Sequence, residues 1–212
     1  DERLHGPRQT SETTRARALL PFVQAADFLL DLHTTQHPNE PMLLSGPLRR
    51  SAELAAAIGC ADLVIIDKGH AQGRRMRDYG AFGDPDSKRT ALLIECGQHW
   101  ASASADVAYA ACLRFLDHLG VLPRDFEPGY VVQLPRTPTR FVEVTMAVTI
   151  KNEFRFVLPL RGGEILHEAG TLIGYDGDEP VVTPHEDCVV IMPSQRLWAG
   201  LTAVRLGRQV SW

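Results

Sequence analysis

Two charged residues sit where apolar runs end, and they are the residues best placed to do chemistry. His33 closes the run Phe28-Leu29-Leu30-Asp31-Leu32-His33, and Thr34, Thr35 and Gln36 open a loop behind it. Strand alternation puts Asp31 and His33 on one face and Leu32 on the other. A histidine so placed, its ring oriented by a carboxylate on the same face, suits a metal ligand with Asp31 in support. A polar residue satisfied at a loop entrance is the plainer reading. Glu95 lies near the end of a second apolar run, "LLIECGQH". An ionised carboxylate is costly to bury without partners, so this one either works as a proton-transfer group with a raised pKa or sits in a structural ion pair with Arg89 or a loop arginine.

Other combinations compete. Cys96 with His99 could form a thiolate–imidazole nucleophile, although a lone cysteine at a strand end is more often inert packing. His37 and Glu40, in "HPNE", have the H-x-x-E spacing of some zinc sites, but Pro38 favours a turn there. The segment "KGHAQGRRMRDYG" carries Lys68, His70, Arg74, Arg75 and Arg77, opposed only by Asp67 and Asp78. An arginine fork there would suit a substrate carboxylate. Arg77 is favoured over Arg74 and Arg75, because Asp78 and Tyr79 could brace it. A solvated surface loop is the alternative.

The elements that must position these groups alternate along the first part of the chain. Thr10 to Val23 reads as a helix capped by Thr10 or Ser11, with Ala16, Ala18, Leu19, Leu20, Phe22 and Val23 as its apolar face. The His33 strand follows, then a helix over Leu48 to Ile58 stopped at Gly59. "ADLVIID" and "TALLIECG" are buried strands, separated by a long loop from Lys68 to Lys88. Ser102 to Leu119 is a helix ended by Gly120. Strands alternating with helices predict a parallel or mixed sheet covered by helices on both faces. Beyond "LPRDFEPG" the texture becomes short β-branched segments between Gly, Pro and Asp turns, which predicts a small all-β domain. The expected division is 1–126 for the α/β domain and 127–212 for the β-rich one.

Composition narrows the function classes. With 212 residues, 44% of them hydrophobic, the chain can bury a substantial core. A formal net charge of -4 gives no electrostatic footprint for nucleic acid. No apolar run approaches the roughly 20 residues needed to cross a bilayer, and the first residues are too polar for a signal peptide. Cys60, Cys96, Cys112 and Cys188 are scattered, which fits reduced thiols in a cytoplasmic protein and excludes a cysteine-type zinc site. No nucleic-acid or membrane partner is expected, and nothing excludes a homo-oligomer.

"LLDLHTT" followed by "LLIECGQH", and then by "GGEILHEAGTLIGYDG" and "PHEDCVVIMP", resembles the succinylglutamate desuccinylase/aspartoacylase family across nearly the whole chain. These are zinc hydrolases with a carboxypeptidase-like fold. The resemblance implies that His33 is a zinc ligand and that Glu95 activates a zinc-bound water. It also implies an N-acyl amino acid as substrate, its carboxylate held by arginines. The family's other two zinc ligands form an H-x-x-E pair well before the D-L-H strand, and its substrate-binding Asn-Arg pair precedes the match to "DERLHGPRQT". "HPNE" follows His33 and is in the wrong place to substitute. The resemblance therefore implies a carboxypeptidase-like fold that is incomplete in this chain, with one of the three ligands of a catalytic zinc site. The expected function is a zinc-dependent deacylase, and the alternative is a non-catalytic remnant or binding module.

Overall fold

The computed structural model describes residues 2–69, 74–134, 136, 138 and 140–211. The helices are α1 (Glu2–His5), α2 (Ser11–Ala25), α3 (Arg49–Ile58) and α4 (Ser102–His118). The strands of the first half are β1 (Phe28–Thr35), β2 (Met42–Leu44), β3 (Leu63–Ile66) and β4 (Thr90–Gln98). Then come β5 (Arg140–Thr149), β6 (Phe154–Phe156), β7 (Ile165–Leu166), β8 (Leu172–Asp176), β9 (Glu179–Val182), β10 (Cys188–Ile191) and β11 (Thr202–Val210). Eight strands form one sheet in the order β1-β4-β2-β3-β5-β11-β10-β7, and β6-β8-β9 form a second, smaller one.

The main sheet is mixed. β1 runs parallel to β4, β4 antiparallel to β2, and β2, β3 and β5 are parallel to one another. The pairing of β3 with β5 carries this sheet past the expected division near residue 126, so the α/β elements and the later strands share one hydrogen-bonded ladder. The β-rich texture beyond that point does form strands, except that 130–134 are irregular.

Strand alternation sorts the core into two layers. Leu43, Val64, Leu92, Ile94 and Cys96 face α3 and α4, and bury Leu54, Ala55, Ile58, Val107, Ala111 and Phe115. Met42, Leu44, Leu63, Ile65 and Leu93 face the other way and pack with Val142, Val189 and Ile191 of later strands. That second face is therefore covered in part by the sheet's own C-terminal strands. α2 reaches it only at its edge, where Val23 and Ala26 pack on Leu29, Phe82 and Ala91.

α2 is set by its cap. Thr10 and Thr13 form a capping box, with the Thr13 amide donating to Thr10 Oγ1 at 3.1 Å and the Thr10 amide donating to Thr13 Oγ1 at 2.9 Å. The expected apolar face does not enter the core, since no residue of α2 is buried and Phe22 is exposed. The polar segment after β3 is better packed than its composition implies. It forms 3-10 turns at Met76–Asp78 and Gly80–Phe82, with Arg77 and Phe82 buried.

Candidate functional site

The parallel register of β1 and β4 sets His33 directly against Glu95, and Asp31 against Leu93. Partners in register share a face, so Asp31, His33 and Glu95 point to the side of the sheet away from α3 and α4. His33 Nε2 lies 3.2 Å from Asp31 Oδ1, and the imidazole is 47% exposed. The hydrogen bond to Asp31 holds the His33 pKa above its ordinary value, against a smaller lowering by burial. This contact occupies Nε2 and leaves Nδ1 as the nitrogen able to meet a ligand.

Glu95 is only 8% exposed, and its Oε2 has no hydrogen-bond partner. Burial pushes its carboxyl above the ordinary glutamate value, while the charges of His33 and Arg75 pull it back. The structural ion-pair reading finds no support among the described residues. Arg89 is turned to the carbonyl of Gln24 and to Asp27, and no cation of the described residues lies within ion-pair distance of Glu95.

Just past Glu95 the ladder slips. His33 pairs with Glu95 but Thr35 with Gln98, so β4 carries an extra residue there. Gly97 makes the bulge possible. Its φ of +119° is open to glycine, and a Cβ would come within 2.8 Å of Ser104 Oγ on α4. The bulge places His99 beside β1, where Nδ1 lies 2.6 Å from Thr34 Oγ1 and the His99 amide donates to the Thr35 carbonyl at 2.8 Å. A cavity of about 450 Å³ opens over Glu95 and His99, and its far wall is Met192, Ser194, Arg196 and Arg205 from around β10 and β11. That volume suits a ligand of amino-acid size.

Arg205 was not apparent from the sequence. It is buried on β11 between Val204 and Leu206, the same signature of a charge inside an apolar strand that marked Glu95. Its Nε is 3.4 Å from Asp67 Oδ2, within ion-pair range but not aligned as a hydrogen bond. Arg75 Nη1 donates to the same oxygen at 3.2 Å. Asp67, just past β3, thus anchors one arginine from the polar segment and one from β11 on a single carboxylate.

The structure sets the three candidate arginines, of which Arg77 was favoured, in different surroundings. Arg75 bears on Glu95 and His33 through its charge. Arg77 is buried elsewhere, against Asp78 Oδ1 at 3.3 Å and the Asp67 carbonyl at 3.4 Å. Arg74 is exposed and lines the same separate cavity as Arg77. His70 lies outside the described residues. The rival nucleophile also comes apart. Cys96 is one residue from Glu95 and therefore on the other face, buried among Cys60 and Ala111, with its thiol pushed up to about 12 by burial. His37 lines the Glu95 cavity, whereas Glu40 lines a different one.

Zinc fits this site only in part. His33 with Asp31 behind it has the character of one ligand, but the described residues contain no group of three or more His, Cys, Asp or Glu able to hold a metal ion. They do not make a zinc site by themselves.

No protein-family model matches the sequence, and no curated protein matches it. Solved structures do match the fold. A succinylglutamate desuccinylase from Vibrio parahaemolyticus superposes with a TM-score of 0.67 at 17% identity, over 99% of this chain and 64% of that one. A succinylglutamate desuccinylase/aspartoacylase from Rhodobacter sphaeroides gives 0.66 at 18% identity, over 97% and 66%. Murine aminoacylase 3 gives 0.63 at 16% identity, over 99% and 74%. The chain spans less than two thirds of the first structures it matches. Its fold is the one shared by these desuccinylase, aspartoacylase and aminoacylase structures.

Proposed function

We propose that this chain carries the general-base side of a hydrolase that cleaves the amide of an N-acyl amino acid. The observation that carries the reading is Glu95, a buried carboxylate that has no ion-pair partner among the described residues and whose Oε2 accepts no hydrogen bond from them, at the wall of a cavity that also holds Arg205. In this reading Glu95 takes a proton from water as its oxygen attacks the acyl carbon. It then passes that proton to the departing nitrogen as the C–N bond breaks, leaving a carboxylate and a free amine. Burial raises the Glu95 pKa above the ordinary glutamate value, a shift in the direction that strengthens it as a base and suits both transfers. This reading assigns the substrate carboxylate to Arg75, the polar-segment arginine whose charge acts on Glu95.

The resemblance implies zinc, for which His33 is the one candidate ligand with a supporting carboxylate. The missing three-donor group among the described residues favours a second reading, a binding module with an incomplete metal site. Two measurements separate the readings. Release of free amine from N-acetyl and N-succinyl amino acids, followed in the protein as encoded, should fall by about 10²–10⁴ in kcat for Glu95→Gln. Turnover at the wild-type rate in that variant would remove Glu95 from the mechanism, and no turnover in the wild type would favour the binding module. Metal analysis of the 212-residue chain should find zinc well below one equivalent, and a full equivalent would mean that the ligand set extends beyond His33.

A further inference from the structure

A second cavity, of about 480 Å³, lies between the start of α3 and the polar segment after β3. None of its lining residues belongs to the Glu95 cavity. Its polar wall consists of Ser45, Ser51, Lys68, Arg74, Arg77 and Asp78. We propose that it binds a single hydrogen phosphate ion, independently of the hydrolytic reading of the Glu95 cleft.

Charge is the first argument. Three cations face one carboxylate, an excess matching a dianion. Asp67 does not cancel it, because its carboxylate is taken by Arg75 and Arg205, and Arg77 receives only its carbonyl. Lys68 has a partner in Glu143 at 3.2 Å, but both side chains are well exposed, and such a pair yields readily to a stronger anion.

An unmet donor is the second. Ser51 lines this cavity and is 2% exposed, so its hydroxyl is held at the wall. Arg77 is 3% exposed, and its Nε finds no acceptor. The ten-residue α3 (N-cap Leu48) has no side-chain cap and no acidic residue in its first turn, so no side chain offsets the positive end of its dipole beside this cavity. A structural ion cluster accounts for Arg77 against Asp78. It leaves the open volume, the Arg77 Nε and the uncapped helix end without a purpose.

The surround is also fixed. Gly46 has φ +71°, and a Cβ there would lie 2.1 Å from Arg77 Nη1, so only glycine leaves the guanidinium its seat. Arg50, on α3, donates to the carbonyls of Phe82, Asp84 and Arg89, which clamps the opposite wall onto the helix.

Donors on several sides suit a tetrahedral oxyanion better than a flat carboxylate. Asp78 decides among tetrahedral ions. Its buried Oδ2 has no donor, and the P–OH of hydrogen phosphate can satisfy it, whereas sulfate has no proton to give.

Calorimetric titration of the full chain with inorganic phosphate, against sodium chloride of equal ionic strength, tests the site. The expected result is one saturable phosphate per chain, weakened about tenfold or more by Arg74→Gln and about tenfold by Ser51→Ala. Both changes are small, and circular dichroism confirms that each variant is folded. Glu95→Gln should bind phosphate as the wild type does. Heat indistinguishable from the chloride control, or binding untouched by both variants, overturns the proposal. So does sulfate, acetate or glycerol 3-phosphate binding as tightly as phosphate.

Discussion

Replacing Asp67 by Asn should be the most damaging single change to the architecture around Glu95. The Asp67 side chain is 5% exposed and receives Arg75 at 3.2 Å and Arg205 at 3.4 Å on one oxygen, while its other oxygen accepts the Gly69 amide at 3.1 Å. Asparagine keeps the shape but removes the charge, leaving two largely buried guanidiniums facing each other. Breaking a buried pair by neutralising one partner costs about 3–5 kcal/mol, because the remaining charge stays buried. A domain has about 5–15 kcal/mol in total, so the variant should be folded but markedly weakened. At about 2–4 °C per kcal/mol for a chain of this size, the melting temperature should fall by about 6–20 °C. Urea unfolding with an unchanged m-value would report the loss directly. Arg205→Met in the Asp67→Asn background should cost less than the two changes added, since they share one interaction. A second readout concerns chemistry. With Asp67 neutral, Arg75 acts on Glu95 uncompensated, the Glu95 pKa falls, and the acid limb of any pH–rate profile moves to lower pH. A stability loss below about 1 kcal/mol would show that Asp67 does not hold these arginines.

Two further outcomes follow from the same geometry. Because folding raises the Glu95 pKa, the folded state holds the proton more tightly, so stability should fall as pH rises from the ordinary glutamate value through the folded one and level off above it. Glu95→Gln should remove that slope, adding about 1–3 kcal/mol at pH 8 and little at pH 4, measured by urea unfolding at both; a loss of stability at pH 8 would mark Glu95 as structural. Gly46→Ala should cost about 2–4 kcal/mol, from a positive φ and the displaced Arg77 guanidinium, and weaken phosphate binding together with stability. A variant melting within a degree of wild type would mean that Arg77 is not seated as described.

What could be read from the sequence was local. Gly59 and Gly120 ended the helices they were expected to end, with φ of +61° and +66°. The helix expected over Ser102 to Leu119 forms as α4, with Val107, Ala110, Ala111 and Phe115 buried at helical spacing. Long-range pairing hid the rest. β2 is three residues long, too short to stand out, and exists because β3 and β4 hold it from both sides. The apolar positions of α2 showed the right period, but periodicity does not say whether another surface lies against the face. The polar segment after β3 had the composition of a solvated loop, yet Arg77 and Phe82 are buried within it. No composition rule marks which arginine of three goes inside.

The candidate site depends on the same distinction. His33 and Glu95 each stood out alone, as polar residues ending apolar runs, but their adjacency depends on β1 pairing directly with β4, although β2 and β3 come between them in sequence. Register then decides which neighbour of Glu95 joins it. A shift by one residue would bring Cys96 to the His33 face and send Glu95 beneath α4, where nothing could receive its charge. The apolar residues on either side of Glu95 prevent that shift. Leu92, Ile94 and Leu93 lock the strand's two faces into opposite cores, so a carboxylate between them can only emerge on the side of His33 and the Arg205 cavity. Arg205 carried the same signal on β11, a charge between Val204 and Leu206. A charge placed inside an apolar strand, where register cannot slip, shows which face must hold its partner, and here both such charges border one cavity.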